Sequence, residues 1–340
     1  MRYPDLALPE ALARLAEFIG GASGDSCAVE RAAPLTGGAS RDMWLIDAVI
    51  GGARERLVLR RDLPTSMVES ALSRAQEFHL MQLAHAAGVR VARPRWLCAD
   101  PDILGGPFFL MDYVQGVSIG RKVVAAPDLA QARAALPGQL AVELAKIHHL
   151  PVDSLDFLAR PGRTPALDAI AQTYAILDAL NVRNPALEFA LRWAERHAPL
   201  PGAITFIHGD FRIGNLIVHH DGLAAVADWE FTHLGDPDEE LGYLCMRDWR
   251  FGGAGRVGGI ADREPFLCAY EAAGGRTVDR RAVDFWELLG NIRWGVICLS
   301  QANRHLSGLD PSVELASLGR RSAEMQYEAL RLIRMMETTS

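Results

Sequence analysis

ITFIHGDFRIGNLIVHHDGLAAVADWEF, residues 204–231, is the stretch of this chain that predicts both its fold and its chemistry. Within it, His208, Asp210 and Asn215 fit the pattern H-x-D-x-x-x-x-N. Asp228 follows 18 residues after Asp210. Chance places these four residue types at these offsets on the order of once in a thousand such chains, or less. The stretch therefore predicts a functional site.

A short hairpin separates the two parts of this motif. Two apolar strands, 216–218 and 223–227, flank a turn at 219–222. A hairpin of this length brings its two ends back together, so Asn215 and Asp228 are predicted to approach one metal ion. Mg²⁺ prefers oxygen ligands and usually binds one or two carboxylates together with phosphate oxygens. Asn215 and Asp228 are therefore the predicted magnesium ligands.

Asp210 is a separate carboxylate in the same stretch. Phosphoryl transfer requires positioned charge more than covalent chemistry from the protein. A carboxylate at this place would accept the proton of an attacking hydroxyl and hold that hydroxyl in line. Asp210, Asn215 and Asp228 are thus the predicted catalytic residues. The alternative is that Asp210 and Asn215 only form turns, with His208 a hydrogen-bonded core residue.

The remaining sequence divides into a strand-rich first third and a helix-rich remainder. Apolar runs at 43–46 and 57–59, separated by Gly51-Gly52, predict a hairpin. Other predicted elements of the first part are strands near 29, 93–97 and 107–113 and helices at 8–19 and 67–86. After Gly116 the predicted helices are 128–149, 166–197, 262–273, 279–305 and 311–337. We expect an α+β fold with a small antiparallel sheet and one key helix over 1–113 and a larger, mainly helical lobe over 114–340.

Composition and charge argue against several classes of protein, among them nucleic-acid-binding, disulfide-rich and membrane proteins. The 340 residues carry a formal net charge of -7, which argues against non-specific nucleic-acid binding because that requires a basic surface. Five cysteines are scattered without a Cys-x-x-Cys pair, which favours reduced thiols. The first residues lack the pattern of a signal peptide, and no apolar run reaches the roughly 20 residues that span a bilayer. A cytoplasmic location without membrane contact is the expectation.

The blocks HGDFRIGN, DWE and GDPDEEL resemble the aminoglycoside/choline phosphotransferase family, which has a protein-kinase-like fold. The loop GGAS, the strand VLRR and PFFLMDYVQG are similar to the branch that is fused to acyl-CoA dehydrogenases. The resemblance extends from about residue 30 to 305. It implies a kinase with Mg²⁺ as cofactor, ATP or GTP as phosphoryl donor and a hydroxylated small molecule as acceptor.

In the nucleotide-binding lobe, the resemblance implies two contacts made largely by backbone groups. Gly37, Gly38 and Ser40 lie in a loop that would approach a phosphate. Asp112 and Val114 lie in the segment that would hold the adenine ring through N–H and C=O groups. A plain hairpin turn and a buried strand are the alternative readings of these two segments.

Arg60 stands where protein kinases carry the strand lysine that binds nucleotide phosphates, and Glu77 is its expected partner on the following helix. Arginine departs from the kinase pattern, although a guanidinium pairs well with phosphate. Arg61 competes for the same role.

Two features after the catalytic hairpin bear on the loop and on the acceptor. In GDPDEEL, Asp236 is expected to cap a helix or support the catalytic loop through backbone N–H groups, and Glu240 replaces the family's usual Asp. A group of cations favours an anionic or CoA-linked acceptor over a polycationic antibiotic: Arg247, Arg250, Arg256 and Arg293.

Three other functions compete with the small-molecule kinase. One is a catalytically weak nucleotide- or acyl-CoA-binding module, which would not need the complete set Asp210, Asn215 and Asp228. A protein kinase is disfavoured because the chain lacks a DFG and an APE-type segment. The third is an interaction partner of a dehydrogenase. The oligomeric state, a homodimer included, is left open by the sequence.

Overall fold

A computed structural model describes residues 5–35, 41–62, 71–274 and 276–339. The chain forms two compact units, a smaller one of Met1–Gly116 with Ala224–Thr232 and a larger one of Val117–Leu223 with His233–Ser340. Some predicted features lie outside the described residues, namely Gly37, Gly38, Ser40 and positions 67–70.

The smaller unit is built on a five-stranded antiparallel sheet. Its strands are β1 (Cys27–Pro34), β2 (Arg41–Ile50), β3 (Ala53–Asp62), β4 (Pro94–Cys98) and β5 (Phe108–Asp112). Their order across the sheet is β1-β2-β3-β5-β4. Gly51 and Gly52 have φ angles of 57° and 84°, which the tight turn between β2 and β3 requires. The predicted hairpin is therefore confirmed.

The helices of the smaller unit are α1 (Pro9–Ser23), α2 (Arg74–Ala86) and α3 (Pro101–Leu104). The sequence pattern predicted a helix over 67–86. This is wrong for residues 71–73, which precede the helix. Ser73 is the N-cap, because its side chain accepts from the Gln76 backbone while the Gln76 side chain accepts from the Ser73 backbone. This reciprocal cap starts the helix at Arg74.

Strand alternation turns successive residues of β3 to opposite faces of the sheet. Leu57 and Leu59 are fully buried in the core that includes α1 and α3 residues. Arg60 lies opposite Phe109 in the β3–β5 register, on the other face. Phe109 contacts Phe78 of α2 with 5.9 Å between ring centroids. Arg60 therefore belongs to the face that α2 covers.

The larger unit is mainly helical. Its helices are α4 (Gly120–Ala125), α5 (Ala130–His148), α6 (Pro165–Leu180), α7 (Pro185–Arg196), α8 (Pro237–Leu244), α9 (Arg263–Gly274), α10 (Arg280–Leu306) and α11 (Val313–Thr339). Helices α6, α7, α10 and α11 share one apolar core. Apolar periodicity thus located the helical regions.

The single helix predicted over 166–197 is wrong, because two helices occupy this range. Asn181 ends α6 in the left-handed conformation with a φ of 50°. Asn184 then caps α7, accepting a hydrogen bond from the Leu187 backbone, and Pro185 occupies the first turn. Both signals are local, whereas the apolar period continues across the break.

Four short strands lie between α7 and α8 in the sequence: β6 (Thr205–Ile207), β7 (Leu216–His219), β8 (Gly222–Val226) and β9 (His233–Gly235). β6 pairs with β9, and β7 pairs with β8 as the predicted hairpin. Within the described residues, no helix has the length and apolar character required to cross a membrane. The α+β fold with an antiparallel sheet and a helix-rich remainder is confirmed.

Candidate functional site

The candidate catalytic loop follows β6 in the larger unit. His208 is fully buried, and its Nδ1 accepts a hydrogen bond from the Asp210 backbone at 3.2 Å. Gly209, between them, has a φ of 85°, a conformation that strains any side chain. His208 is thus a hydrogen-bonded core residue, as the alternative reading held, and it also fixes the backbone that carries Asp210.

The Asp210 carboxylate is held by groups of the same unit. Its Oδ1 accepts from the Tyr243 hydroxyl at 2.8 Å and from Arg212 Nε at 2.9 Å. Burial, followed by the negative charge of Asp210, raises the pKa of Tyr243 well above its usual range. The phenol therefore stays protonated and continues to donate to the carboxylate.

Asn215 completes this arrangement. Its amide nitrogen donates to the Asp210 carbonyl at 3.0 Å and to Asp210 Oδ2 at 2.5 Å. Asn215 is only 4% exposed, so its orientation is fixed by packing as well as by these bonds. Because the nitrogen is used in this way, the amide oxygen is the atom left to serve as a metal ligand.

Glu240 supports the loop from α8. Its Oε1 accepts from the Gly209 backbone N–H at 2.9 Å, and its Oε2 lies 3.1 Å from Nε2 of buried His148. Burial acts to raise the pKa of Glu240, but the hydrogen bond and charge of His148 lower it overall. The ionised carboxylate therefore holds the loop backbone.

The expectation that Asp236 supports the catalytic loop is wrong, since Glu240 makes that contact. Asp236 instead caps α8 by accepting from the Asp238 backbone at 3.0 Å, and it accepts from Trp286 Nε1 at 3.2 Å. Burial, and then the charge of Asp238, raises the pKa of Asp236 to about 6. The helix-cap reading of this residue is confirmed.

A buried charge network lies in the smaller unit around Arg60, which is 2% exposed. Its Nη1 is 3.1 Å from Glu77 Oε1 and 3.0 Å from Asp228 Oδ1. Its Nη2 is 3.1 Å from Glu230 Oε2. One guanidinium therefore contacts three carboxylates, the expected partner Glu77 among them.

Sequence reasoning missed two members of this network, Arg74 and Glu230. Arg74 Nη1 contacts Glu77, and its Nη2 is 3.4 Å from Glu230 Oε2. Arg74 and Glu230 are both buried. The partners of Glu230 lie more than 150 positions away in the sequence, so local pattern could not predict these pairs. The one available signal was that Glu230 belongs to the DWE block.

Arg61, the competitor of Arg60, has a different environment. Its Nε donates to Asp42 Oδ2 at 2.8 Å, and its Nη1 donates to the Leu104 carbonyl. Strand alternation explains the difference, because consecutive residues of β3 face opposite sides of the sheet. Of the two arginines, Arg60 is the one that contacts Glu77 and Asp228.

Asp228 has an unusual backbone. Its φ of 67° and ψ of 61° place it in the left-handed region, which a residue other than glycine rarely adopts. Hydrogen bonds on either side hold this segment within the smaller unit. Val226 N–H donates to the Arg90 carbonyl at 2.7 Å, and the Glu230 carbonyl accepts from Leu72 N–H at 2.8 Å.

The segment expected to hold adenine begins at the end of β5. Asp112 N–H donates to the Arg93 carbonyl at 2.9 Å, and its side chain pairs with Arg95 at 2.8 Å. Val114 is half-buried, and among the described residues it makes no backbone–backbone hydrogen bond. The assignment of this segment to the adenine ring remains a prediction.

The predicted site residues fall into two groups. Asp210 and Asn215 contact each other in the larger unit, whereas in the smaller unit Arg60 contacts both Glu77 and Asp228. The joint magnesium site of Asn215 and Asp228 remains a prediction.

Comparison with known proteins shows which proteins this chain is similar to. Acyl-CoA dehydrogenase family member 10 of Mus musculus is 34% identical over 199 residues, which are 57% of this chain but 18% of that protein. This chain therefore matches less than a fifth of that relative's length. A structure of a Ralstonia eutropha JMP134 protein named as an aminoglycoside phosphotransferase aligns with a TM-score of 0.76 at 21% identity, covering 95% of this chain and 98% of that one.

A second solved structure is spectinomycin phosphotransferase in complex with ADP and spectinomycin. It aligns with a TM-score of 0.61 at 14% identity, covering 93% of this chain and 98% of that chain. These structural likenesses establish the protein-kinase-like fold. Residues 31–286 match the phosphotransferase enzyme family, which is well over half of the chain. The chain belongs to the phosphotransferase enzyme family.

Proposed function

We propose that this protein transfers the terminal phosphoryl group of ATP or GTP to the hydroxyl of a small molecule. The observation that carries the proposal is the geometry of Asp210. Its carboxylate is held at Oδ1 by Tyr243 and Arg212 and at Oδ2 by Asn215, on a loop that a buried histidine and Glu240 fix. Such preorganisation is what positioning of an attacking hydroxyl requires.

In this proposal Asp210 accepts the proton of the acceptor hydroxyl and orients its oxygen toward the phosphoryl group. The side chain is 13% exposed, so it is partly open while its neighbours are packed. Arg212 Nε, 2.9 Å from Asp210 Oδ1, helps to hold the carboxylate in one orientation. A carboxylate held in this way can receive the hydroxyl proton without first having to reorient.

The donor set fits magnesium. The amide oxygen of Asn215 and the carboxylate of Asp228 are hard oxygen ligands, and these two residues would hold the ion. Magnesium bound there would neutralise charge on the nucleotide phosphates. Other residues assigned to the nucleotide are Gly37, Gly38 and Ser40 for phosphate, Arg60 with Glu77 for phosphate, and the backbone of Asp112 and Val114 for adenine.

A two-stage experiment tests this function. Thermal shift with ATP, GTP and Mg²⁺ should raise the melting temperature, because a ligand that binds only the folded state stabilises it. Hydroxylated metabolites that give a further shift are then tested for phosphoryl transfer, with the Asp210→Asn variant as the matched inactive control. Nucleotide binding without transfer to any hydroxyl would contradict the proposal and favour a binding module.

A further inference from the structure

A charged cavity lies in the larger unit, and none of the residues that line it is assigned to the catalytic or nucleotide site above. It has a volume of about 470 Å³ and is lined by Arg247, Arg250, Arg256, Glu328, Arg331 and Met335. Four guanidinium groups and a single carboxylate therefore form its described wall. Pockets for small ligands are commonly about 300–1,000 Å³, so the volume suits one small molecule.

Two of these arginines, Arg250 and Arg256, are held in place by a buried carboxylate outside the cavity lining. Arg250 Nη2 is 3.1 Å from Glu287 Oε1, and Arg256 Nη2 is 2.5 Å from Glu287 Oε2. The Cys245 carbonyl also accepts from Arg250 Nη2 at 2.7 Å. The Glu287 side chain is fully buried and does not line the cavity. These bonds fix both guanidinium groups before any ligand arrives, which lowers the entropy cost of binding.

The other two arginines are more exposed. The Arg247 side chain is 64% exposed, and its contact with Glu328 is long, at 3.7 Å. Arg331 pairs with the same carboxylate at 2.7 Å and is 41% exposed. Both cations therefore share Glu328, so the cavity wall keeps an excess of positive charge.

Arg293, which the sequence grouped with these cations, has a different partner. It pairs with Glu239 at 2.7 Å and does not line the cavity. Arg331, on α11, takes its place and lies more than 70 residues beyond the others in the sequence.

The cavity adjoins the elements that hold Asp210. Between Arg247 and Arg250 lies Trp249, whose ring is 4.8 Å from the guanidinium carbon of Arg212 and 5.4 Å from the Tyr243 ring. Both of those residues donate to Asp210. The short helical turn Arg247–Arg250 therefore supplies two of the residues that line the cavity, Arg247 and Arg250. Its Trp249 packs against Arg212 and Tyr243, the two residues that donate to Asp210.

We propose that this arginine cavity is a binding site for a multiply charged phosphate group of a small molecule, separate from the nucleotide site. A planar guanidinium donates two parallel hydrogen bonds to phosphate, and several of them around one cavity match a phosphate with more than one negative charge. This goes beyond the proposed transfer reaction, because the site would bind its anion without magnesium and without nucleotide. The competing explanation is a purely structural ion-pair cluster.

Calorimetric titration of the full chain with inorganic pyrophosphate, without Mg²⁺ and at fixed ionic strength, tests this site. We expect saturable binding that Arg247→Ala weakens about tenfold or more, since a charged hydrogen bond contributes roughly 1.5–3 kcal/mol. Arg247→Lys should lose less affinity than Arg247→Ala, because lysine keeps the positive charge but lacks the paired donors of a guanidinium. Arg247 is largely exposed, so its removal should leave the fold intact, which the melting temperature checks.

Arg320→Ala is the matched control. Arg320 is exposed on the same helix as Arg331 but eleven positions away, about 16 Å along the axis, and it does not line the cavity. The affinity of the Arg320→Ala variant for pyrophosphate should stay within about twofold of the wild-type affinity, because only the net charge of the protein changes. Absence of binding by the wild type, or equal binding by Arg247→Ala, would overturn the inference. Neither result bears on nucleotide-dependent transfer, which is measured separately.

Discussion

The Arg60 network and the Asp210 loop hold their charged groups in opposite ways. Arg60 is buried and contacts three carboxylates, so the position of its guanidinium is fixed within the smaller unit. Asp210 is held by one cation and two neutral groups, Tyr243 and Asn215, and its side chain remains partly exposed. The first arrangement favours a rigid scaffold, and the second favours a carboxylate available for chemistry.

This difference predicts how the two regions respond to substitution. Removing one member of a buried ion network leaves another charge without compensation, which costs folding free energy. Removing the charge of Asp210 leaves its neighbours paired or solvated and should affect the reaction more than the fold. The following substitutions test that distinction.

The largest effect is expected for Asp210→Asn. The amide keeps the shape but cannot accept the hydroxyl proton, so kcat should fall about a hundred- to ten-thousandfold. The melting temperature should change little. Steady-state transfer to an acceptor found by the screen measures the rate, and full activity of this variant would refute the kinase mechanism.

Arg60→Ala should raise the KM for nucleotide and lower kcat, by roughly ten- to a hundredfold in kcat/KM, because a charged hydrogen bond to phosphate is lost. Arg60→Lys should retain more activity than the alanine variant. Arg54→Ala, which removes an 84% exposed arginine of the same unit, is the control. Unchanged constants in Arg60→Ala would remove Arg60 from the nucleotide site.

Glu230→Gln tests the scaffold role directly. Arg60 and Arg74 both lose a charged partner, so the free energy of unfolding should fall by about 1–3 kcal/mol in urea titration. Glu30→Gln is matched chemically, but its pair with Arg54 is exposed and 3.8 Å long, so it should change stability by about 0–1 kcal/mol. Equal effects of the two substitutions would contradict a stabilising network.

Asp236→Asn should change stability by no more than Glu230→Gln does, and by an amount that depends on pH. The folded pKa of about 6 lies above the ordinary value of 3.8, so ionising the buried carboxylate opposes folding as pH rises through this range. The variant should therefore gain stability relative to wild type between pH 4 and pH 7, by about 1–3 kcal/mol. Asparagine also caps helices, so a difference that does not vary with pH would contradict this account.

The sequence predicted most of what depends on local pattern. Apolar periodicity and the Gly51-Gly52 turn located the hairpin and the helical regions, and the HGD block located the candidate base. The break at Asn181–Pro185 was missed because the apolar face continues through it. The cap of α8 was expected, but the contact from Glu240 to the Gly209 backbone required three-dimensional placement.

The least predictable features are contacts between distant parts of the chain. Arg60 and Glu230 are 170 positions apart, and nothing in either local sequence specifies the pair. Strand alternation would have separated Arg60 from Arg61, but the face covered by α2 was known only from the fold. The place of Arg331 in the arginine cavity was likewise known only from the fold, because it lies more than 70 positions after the other arginines.

The most direct test of the account is calorimetric titration of Mg²⁺ with a non-hydrolysable nucleotide into three variants. Asp210→Asn should bind it nearly as the wild type does, because Asp210 is assigned to the acceptor hydroxyl. Asp228→Asn should bind it at least about tenfold more weakly, and Asn215→Ala should resemble Asp228→Asn, because both are assigned to the metal. Equal losses of affinity in Asp210→Asn and Asp228→Asn would contradict this division of roles.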